Sequence, residues 1–117
     1  MKAALRDIAE TLILTALIFV VVQSIVKNYR VEGTSMMPTL HDGDIVLVDT
    51  ARRAPTPPGI FVLHDGMGLV AKRLEHIPNS DPPRVRIISD NSHYSPYEGV
   101  ADEVNIIGRI RWYAREM

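Results

Sequence analysis

One long apolar run limits the possible folds more than any other feature of the chain. It extends over residues 8–26 and contains no charged residue at positions 11–22. A helix that crosses a bilayer needs about 20 mainly apolar residues, with a lower limit near 17, and the absence of a polar face is typical of lipid contact. We therefore predict a transmembrane anchor over residues 1–28 and a separate domain over residues 29–117.

Two other interpretations of this run stay open. A cleaved signal peptide also has a charged start and an apolar core, although residues 23–28 offer no pair of small residues at cleavage-site spacing. A helix buried in a soluble protein would also be apolar all round. The orientation of an anchor is undecided by the positive-inside rule, because Lys2 and Arg6 precede the run while Lys27 and Arg30 follow it.

Beyond the apolar run, the pattern changes from helical to strand-like. Short runs rich in β-branched residues alternate with clusters of glycine, proline and asparagine, which is typical of strands joined by turns. The predicted strands are 29–32, 44–49, 60–64, 69–75, 84–88 and 104–112. We therefore expect a mainly β protein, with the N-terminal transmembrane helix followed by one small, coiled β-domain.

Composition excludes several classes of function. The chain has 117 residues, a net charge of -1 and no cysteine, so there is no electrostatic argument for nucleic-acid binding and no thiolate metal site. Asp42, Asp44 and Asp49 fit a polar turn followed by a strand, and no two histidines have the i, i+4 spacing of a helical zinc site. We expect neither a metal nor a cofactor.

Ser35 and Lys72 are the residues most indicative of chemistry. A serine hydroxyl is a weak nucleophile and needs a base, which can be a histidine or a neutral lysine. Lys72 follows three apolar residues, and strand alternation places it on the face opposite Arg73. Burial on that face would lower its pKa. A serine–lysine pair is therefore the leading hypothesis, and a serine–histidine–acid triad stays open.

The motifs around these residues resemble those of a known family. They read Gly33-x-Ser35-Met36-x-Pro38-Thr39-Leu40, then Gly43-Asp44-Ile45-Val46-Leu47-Val48, then Lys72-Arg73. This pattern is similar to that of the type I signal peptidases and, more widely, of the serine–lysine peptidases that include self-cleaving repressors. The segments 89–97 and 108–112 look more like the repressor branch.

The resemblance implies roles for individual residues. Ser35 would be the nucleophile, its backbone N–H would contribute to the oxyanion hole, and Lys72 would be the general base. Ser95 falls where the family has a serine that orients the lysine, and Tyr97 replaces an acidic residue of the family pattern. Met36 and Gly33 are the candidate substrate-binding residues.

The resemblance also implies a function. We expect a signal peptidase in the cell membrane, with a single span and an extracytoplasmic catalytic domain, that cleaves signal peptides from exported precursor proteins. Its partners would be those precursors and membrane lipid, and the need for a partner subunit stays open.

Two alternatives remain at this point. One is a self-cleaving regulator of the repressor branch, for which we expect a DNA-binding domain and a cleaved Ala-Gly or Cys-Gly upstream of the serine. Neither dipeptide occurs in this chain, and there is no room for such a domain ahead of Ser35. The other alternative is a non-catalytic, membrane-tethered β-domain that binds peptides.

Overall fold

The computed structural model describes residues 2–117, without the side chains of residues 2, 3 and 21–24. One helix is followed by seven strands. The helix is α1 (Lys2–Ile25), and a short 3₁₀ helix covers Ala101–Glu103. The strands are β1 (Val26–Arg30), β2 (Ile45–Asp49), β3 (Gly59–His64), β4 (Leu69–Ile77), β5 (Arg84–Ile88), β6 (Tyr97–Val100) and β7 (Asn105–Ala114).

Helix α1 covers most of the apolar run, but the predicted transmembrane anchor is not confirmed. Over the residues that the structure describes, no helix has both the length and the apolar character needed to cross a bilayer. The predicted span includes residues 21–24, whose side chains lie outside the described part. Leu12, Leu17 and Phe19 are exposed, so the described part of α1 is not a helix buried in the β-domain either.

The strands form one antiparallel sheet, so the prediction of a mainly β protein is confirmed. The strand order is β1-β2-β7-β3-β4-β5-β6, and every neighbouring pair is antiparallel. Strand β1 begins earlier than the predicted strand at 29–32, directly after the helix. The sequence pattern did not indicate β6, because its Glu98 and Gly99 have low strand propensity.

Both faces of the sheet carry a hydrophobic cluster. Successive side chains of a strand point to opposite faces, so Phe61 belongs to one cluster while Val62 belongs to the other. The second cluster, here called the loop cluster, comprises Met36, Leu40, Val46, Val48 and Val62. Because two of its members come from the connection between β1 and β2, the core itself fixes the position of that connection.

Gly108 of β7 lies where no side chain fits. A Cβ atom there would lie 2.6 Å from the carbonyl oxygen of Asp49 and 2.7 Å from Cγ1 of Val48. The carbonyl belongs to backbone of the neighbouring strand β2, so it cannot move without disturbing the pairing of β2 with β7.

We therefore predict that Gly108→Ala lowers the free energy of unfolding by about 1–3 kcal/mol, as overpacking does in cores. Urea denaturation of the full chain measures this loss. Gly68→Ala is the matched control, because a Cβ at Gly68 meets no atom within 4 Å, and its effect should stay within about 0.5 kcal/mol. Equal effects of the two substitutions would contradict the steric explanation.

Candidate active site

Ser35 lies in the connection between β1 and β2, residues 31–44, which we call the Ser35 loop. Its two ends are held together by the Val31 N–H, which donates to the Asp44 carbonyl at 2.7 Å. Within the loop, the Gly33 N–H donates to Oδ1 of Asp42 at 2.8 Å. Gly33 has a φ of 86°, which glycine adopts without a steric penalty. These bonds define the path of the backbone on which Ser35 sits.

The apolar residues of the loop anchor it in the core. Met36 and Leu40 are 2% and 1% exposed and belong to the loop cluster, while Ser35 is half-buried. The Sδ atom of Met36 also accepts a hydrogen bond from the Asp90 N–H at 3.4 Å. Anchoring the residue next to Ser35 restricts where the serine hydroxyl can lie.

A buried carboxylate fixes the end of the Ser35 loop. Asp44 is 1% exposed and accepts bonds from Arg115 Nε at 2.9 Å, from Arg115 Nη2 at 2.8 Å and from the His41 N–H at 2.9 Å. The Arg115 guanidinium is the main reason that the pKa of Asp44 falls to about 2, with the His41 N–H acting in the same direction against burial.

This ion pair predicts a change in acid stability. The pKa of Asp44 is lower in the folded chain than the ordinary value of 3.8. The ionised carboxylate therefore stabilises the fold fully at pH values above 3.8, and this stabilisation is lost as the pH falls towards 2. Arg115→Gln removes the guanidinium and leaves the burial, so the acid-unfolding midpoint should move to higher pH. Acid titration followed by circular dichroism measures the midpoint.

The control for this titration is Arg86→Gln. Arg86 pairs with Glu98 at 3.9 Å, and both side chains are nearly half exposed, so this pair contributes little. An acid midpoint that moves equally in both variants would contradict the assigned role of Asp44.

Lys72 of β4 is partly buried, and its amine makes a close polar contact. Its Nζ donates to Oγ of Ser89 at 2.7 Å and lies 5.7 Å from the centroid of the Tyr94 ring. Burial lowers the pKa of Lys72 below its ordinary 10.5, and charge interactions with Tyr94 and Asp65 oppose this effect. The direction is the one that a lysine base requires, because only the neutral amine can accept a proton.

The residues directly after β5 link Lys72 to the Ser35 loop. We call residues 89–91 the connecting segment. At one end Ser89 accepts from Lys72, and at the other end the Asn91 N–H donates to the Ser35 carbonyl at 3.0 Å. The Asn91 Nδ2 donates to the Thr34 carbonyl at 2.9 Å. Three consecutive residues extend over at most about 7 Å between their outer Cα atoms, so the Lys72 amine and the Ser35 backbone are both bonded to the same short segment.

Asp90, the middle residue of the connecting segment, is hydrogen-bonded both to β4 and to the Ser35 loop. Its carboxylate accepts two bonds from Arg73, from Nε and Nη2, both at 2.8 Å. It also accepts from the Thr39 hydroxyl of the Ser35 loop at 2.5 Å. The Arg73 guanidinium is the main cause of the lowered pKa of Asp90. The carboxylate thus joins β4 to the Ser35 loop.

A cleft of about 280 Å³ opens beside Ser35. Residues 29–32 form one wall, residues 69–71 of β4 form the other, and Met36, Val46 and Val62 contribute apolar surface. Strand β5 pairs with β4 only from Arg73 onwards, so among the described strands residues 69–72 pair on one side only, with β3. An extended peptide can bind to such an unpaired strand edge.

Comparison with known proteins agrees with this geometry. The model of the Peptidase S24-like family matches residues 4–111. The chain belongs to this family. A 26 kDa repressor protein from Escherichia phage HK022 is 32% identical over 91 residues, which cover 75% of this chain and 37% of the relative. The chain therefore spans little more than a third of the length of that curated relative.

The S24-like family is one of serine–lysine peptidases, so membership supports the wider resemblance seen in the sequence. It supports the repressor branch of that resemblance, as does the phage relative. The narrower assignment to the type I signal peptidases is not confirmed by either match.

The other predicted site residues of this S24-like chain differ in whether they line the cleft. Met36 lines the cleft, whereas Gly33 is exposed and shapes the backbone of the loop. In the described part of the chain, no acceptor is bonded to the Ser35 N–H, and its role in an oxyanion hole stays a prediction.

The hydroxyl that contacts Lys72 is not the predicted one. Ser95 is exposed, in the connection between β5 and β6, and its role also stays a prediction. The contacting hydroxyl belongs to Ser89. A signal for Ser89 was present in the sequence, because Val85, Ile87 and Ser89 alternate at the period of two that marks one face of a strand.

Proposed function

We propose that the chain is an endopeptidase in which Ser35 is the nucleophile and Lys72 is the general base. The observation that carries this proposal is the connecting segment, which is bonded to Lys72 at one end and to the Ser35 backbone at the other. Membership of the S24-like family supports the same pair of residue types.

The proposed mechanism uses Lys72 in both protonation states. The neutral amine takes the proton of the Ser35 hydroxyl as its oxygen attacks the scissile carbonyl. The ammonium that results gives its proton to the leaving amine. A water molecule then attacks the acyl-enzyme, with Lys72 again as the base, and releases the product acid and free Ser35. The Ser35 N–H would donate to the oxyanion.

The cleft favours an extended substrate with small or apolar side chains near the scissile bond. Its walls offer backbone of residues 29–32 and 69–71, and its surface includes Met36, Val46, Val62 and Ala71. Backbone hydrogen bonds to the walls would hold the substrate as a strand, and the apolar surface would accept alternate side chains.

For the physiological role, we propose a self-cleaving regulator of the repressor branch. The family match and the similarity to a phage repressor protein support this assignment. The family's usual cleavage dipeptides, Ala-Gly and Cys-Gly, do not occur among the 117 residues. The scissile bond of a self-cleaving form is therefore either a different dipeptide or one outside these residues.

A second candidate, a signal peptidase of the cell membrane with an extracytoplasmic catalytic domain, is favoured by one observation. The described apolar side chains of α1 are exposed, and only β1 separates this helix from the Ser35 loop. A precursor whose apolar segment lies beside α1 would bring its cleavage site close to Ser35. Membrane lipid and signal-peptide precursors would then be its partners.

The dyad is tested by substitution. We predict that Ser35→Ala and Lys72→Ala each reduce peptide cleavage by about 10³-fold or more, because nucleophile and base act as a unit. The rate of the wild type should rise with pH through a pKa below 10.5, since burial lowers that of Lys72. Rates are measured by mass spectrometry of the cleaved peptide.

Ser92→Ala and Lys27→Ala are the matched controls, because both residues are exposed, whereas Ser35 and Lys72 are partly buried. Cleavage that persists in Ser35→Ala while the protein stays folded would contradict the proposed mechanism.

The two proposed physiological roles predict cleavage of different substrates. In one experiment, the chain is fused behind a flexible segment that contains Ala-Gly. In the other, the chain is incubated with a signal-peptide precursor in lipid vesicles. A regulator should cleave the fused segment at a first-order rate that does not depend on protein concentration. A signal peptidase should cleave the precursor after a small residue and leave the fused segment intact.

A further inference from the structure

We infer that Ser89 is a positioning residue for Lys72, and that its hydroxyl holds the amine in the orientation that catalysis requires. The inference rests on the proposed Ser35–Lys72 mechanism and extends it to a residue that the family motifs in the sequence did not indicate. Ser89 would act through Lys72 and would not touch the substrate.

The hydroxyl that contacts Lys72 belongs to a buried residue. Ser89 is 9% exposed and, with Asp44, is one of two buried polar or charged residues in the described part of the chain. Its Oγ accepts from Lys72 Nζ at 2.7 Å. Burying a hydroxyl without a hydrogen-bond partner costs free energy. Burying a lysine amine also costs free energy, and more so when the amine is charged. An alanine at position 89 would leave no unpaired hydroxyl, so the burial of this position does not by itself require a serine.

A lysine side chain has four rotatable bonds, so its amine samples many positions unless it is held. Ser89 follows β5 directly and is the first residue of the connecting segment. That segment is also bonded to the Ser35 backbone through Asn91. The acceptor for Lys72 is therefore fixed relative to the backbone of Ser35, as a positioning contact requires.

The contact with Ser89 is compatible with both protonation states of the Lys72 amine. A neutral amine has two N–H groups and one lone pair, so a bond from one N–H to Ser89 leaves the lone pair free for the Ser35 proton. The ammonium can keep the same bond after it has taken that proton. The other groups facing Lys72 are Tyr94, from the connection after β5, and Asp65, from the turn between β3 and β4.

Ser95 is the competing residue, because the family resemblance assigns this role to it. Its side chain is exposed, whereas that of Ser89 is buried. An exposed hydroxyl is hydrogen-bonded to water and exchanges partners, so it holds an amine less firmly. The structure therefore favours Ser89 for the positioning role.

The test compares Ser89→Ala, Ser95→Ala and Ser92→Ala in the full chain. The substrate is the probe that the wild type cleaves, either the Ala-Gly fusion or the signal-peptide precursor. For Ser89→Ala we expect kcat, or the first-order rate of the fusion, to fall about 10- to 100-fold, as misplacement of a catalytic group does. The KM for the precursor should change less than about twofold. Thermal unfolding shows whether each variant is folded.

The pH profile separates positioning from a purely structural role. The Ser89 hydroxyl stabilises the ammonium, so its removal should lower the pKa of Lys72 and move the acidic limb of the rate profile to lower pH. The rate would thus fall although more of the amine is neutral. A loss of folding would lower the rate at every pH and leave the limb where it was.

Titration of Lys72 Nζ by nuclear magnetic resonance gives a readout that does not need activity. A downward pKa change in Ser89→Ala alone supports the contact even if the wild type cleaves neither probe, in which case the proposed function fails separately. Full activity in Ser89→Ala would overturn the inference. A lower rate in Ser89→Ala with an unchanged pKa of Lys72 would also overturn the inference. The same would follow if the rate and the pKa of Lys72 fell in Ser95→Ala and not in Ser89→Ala.

Discussion

The hydrogen bonds of the connecting segment, residues 89–91, are the interaction on which the site depends. Residues distant in the chain meet here, because Ser89 is bonded to Lys72, Asp90 to Arg73 and Asn91 to the Ser35 backbone. Each bond has a fixed direction, and together they determine how the Ser35 loop lies against β4. Without this segment, the loop would be anchored by its own turn, by the Asp44–Arg115 ion pair at its end and by apolar packing, which is less directional than hydrogen bonding.

The packing of the sheet explains why a cleft exists beside this site. A sheet with hydrophobic clusters on both faces needs cover on both, and the Ser35 loop covers one of them through Met36 and Leu40. Strand β5 joins β4 only from Arg73 onwards, which leaves the preceding residues of β4 unpaired on that side among the described strands. The same arrangement that buries the core therefore provides backbone edges for an extended ligand.

Family membership and the details of the site contribute different information about function. The S24-like match shows the family, and the similarity to a phage repressor protein covers 37% of that relative. Neither match states what this chain cleaves. The partly buried lysine, the downward shift of its pKa by burial and the apolar cleft are the features on which the proposed cleavage of an extended segment rests. The physiological substrate depends on surfaces outside the dyad, which is why both roles need a direct test.

The sequence by itself determined the strands with strong alternation, the motif around Ser35 and the candidacy of Lys72, because periodicity and local motifs are properties of neighbouring residues. It did not reveal β6, whose edge position demands little of its residues. Only the tertiary structure decided which hydroxyl meets Lys72, since Ser89 and Ser95 both lie in the region of the motif and their burial differs. Burial and partner choice arise from contacts between segments far apart in the chain, and a local pattern cannot encode them.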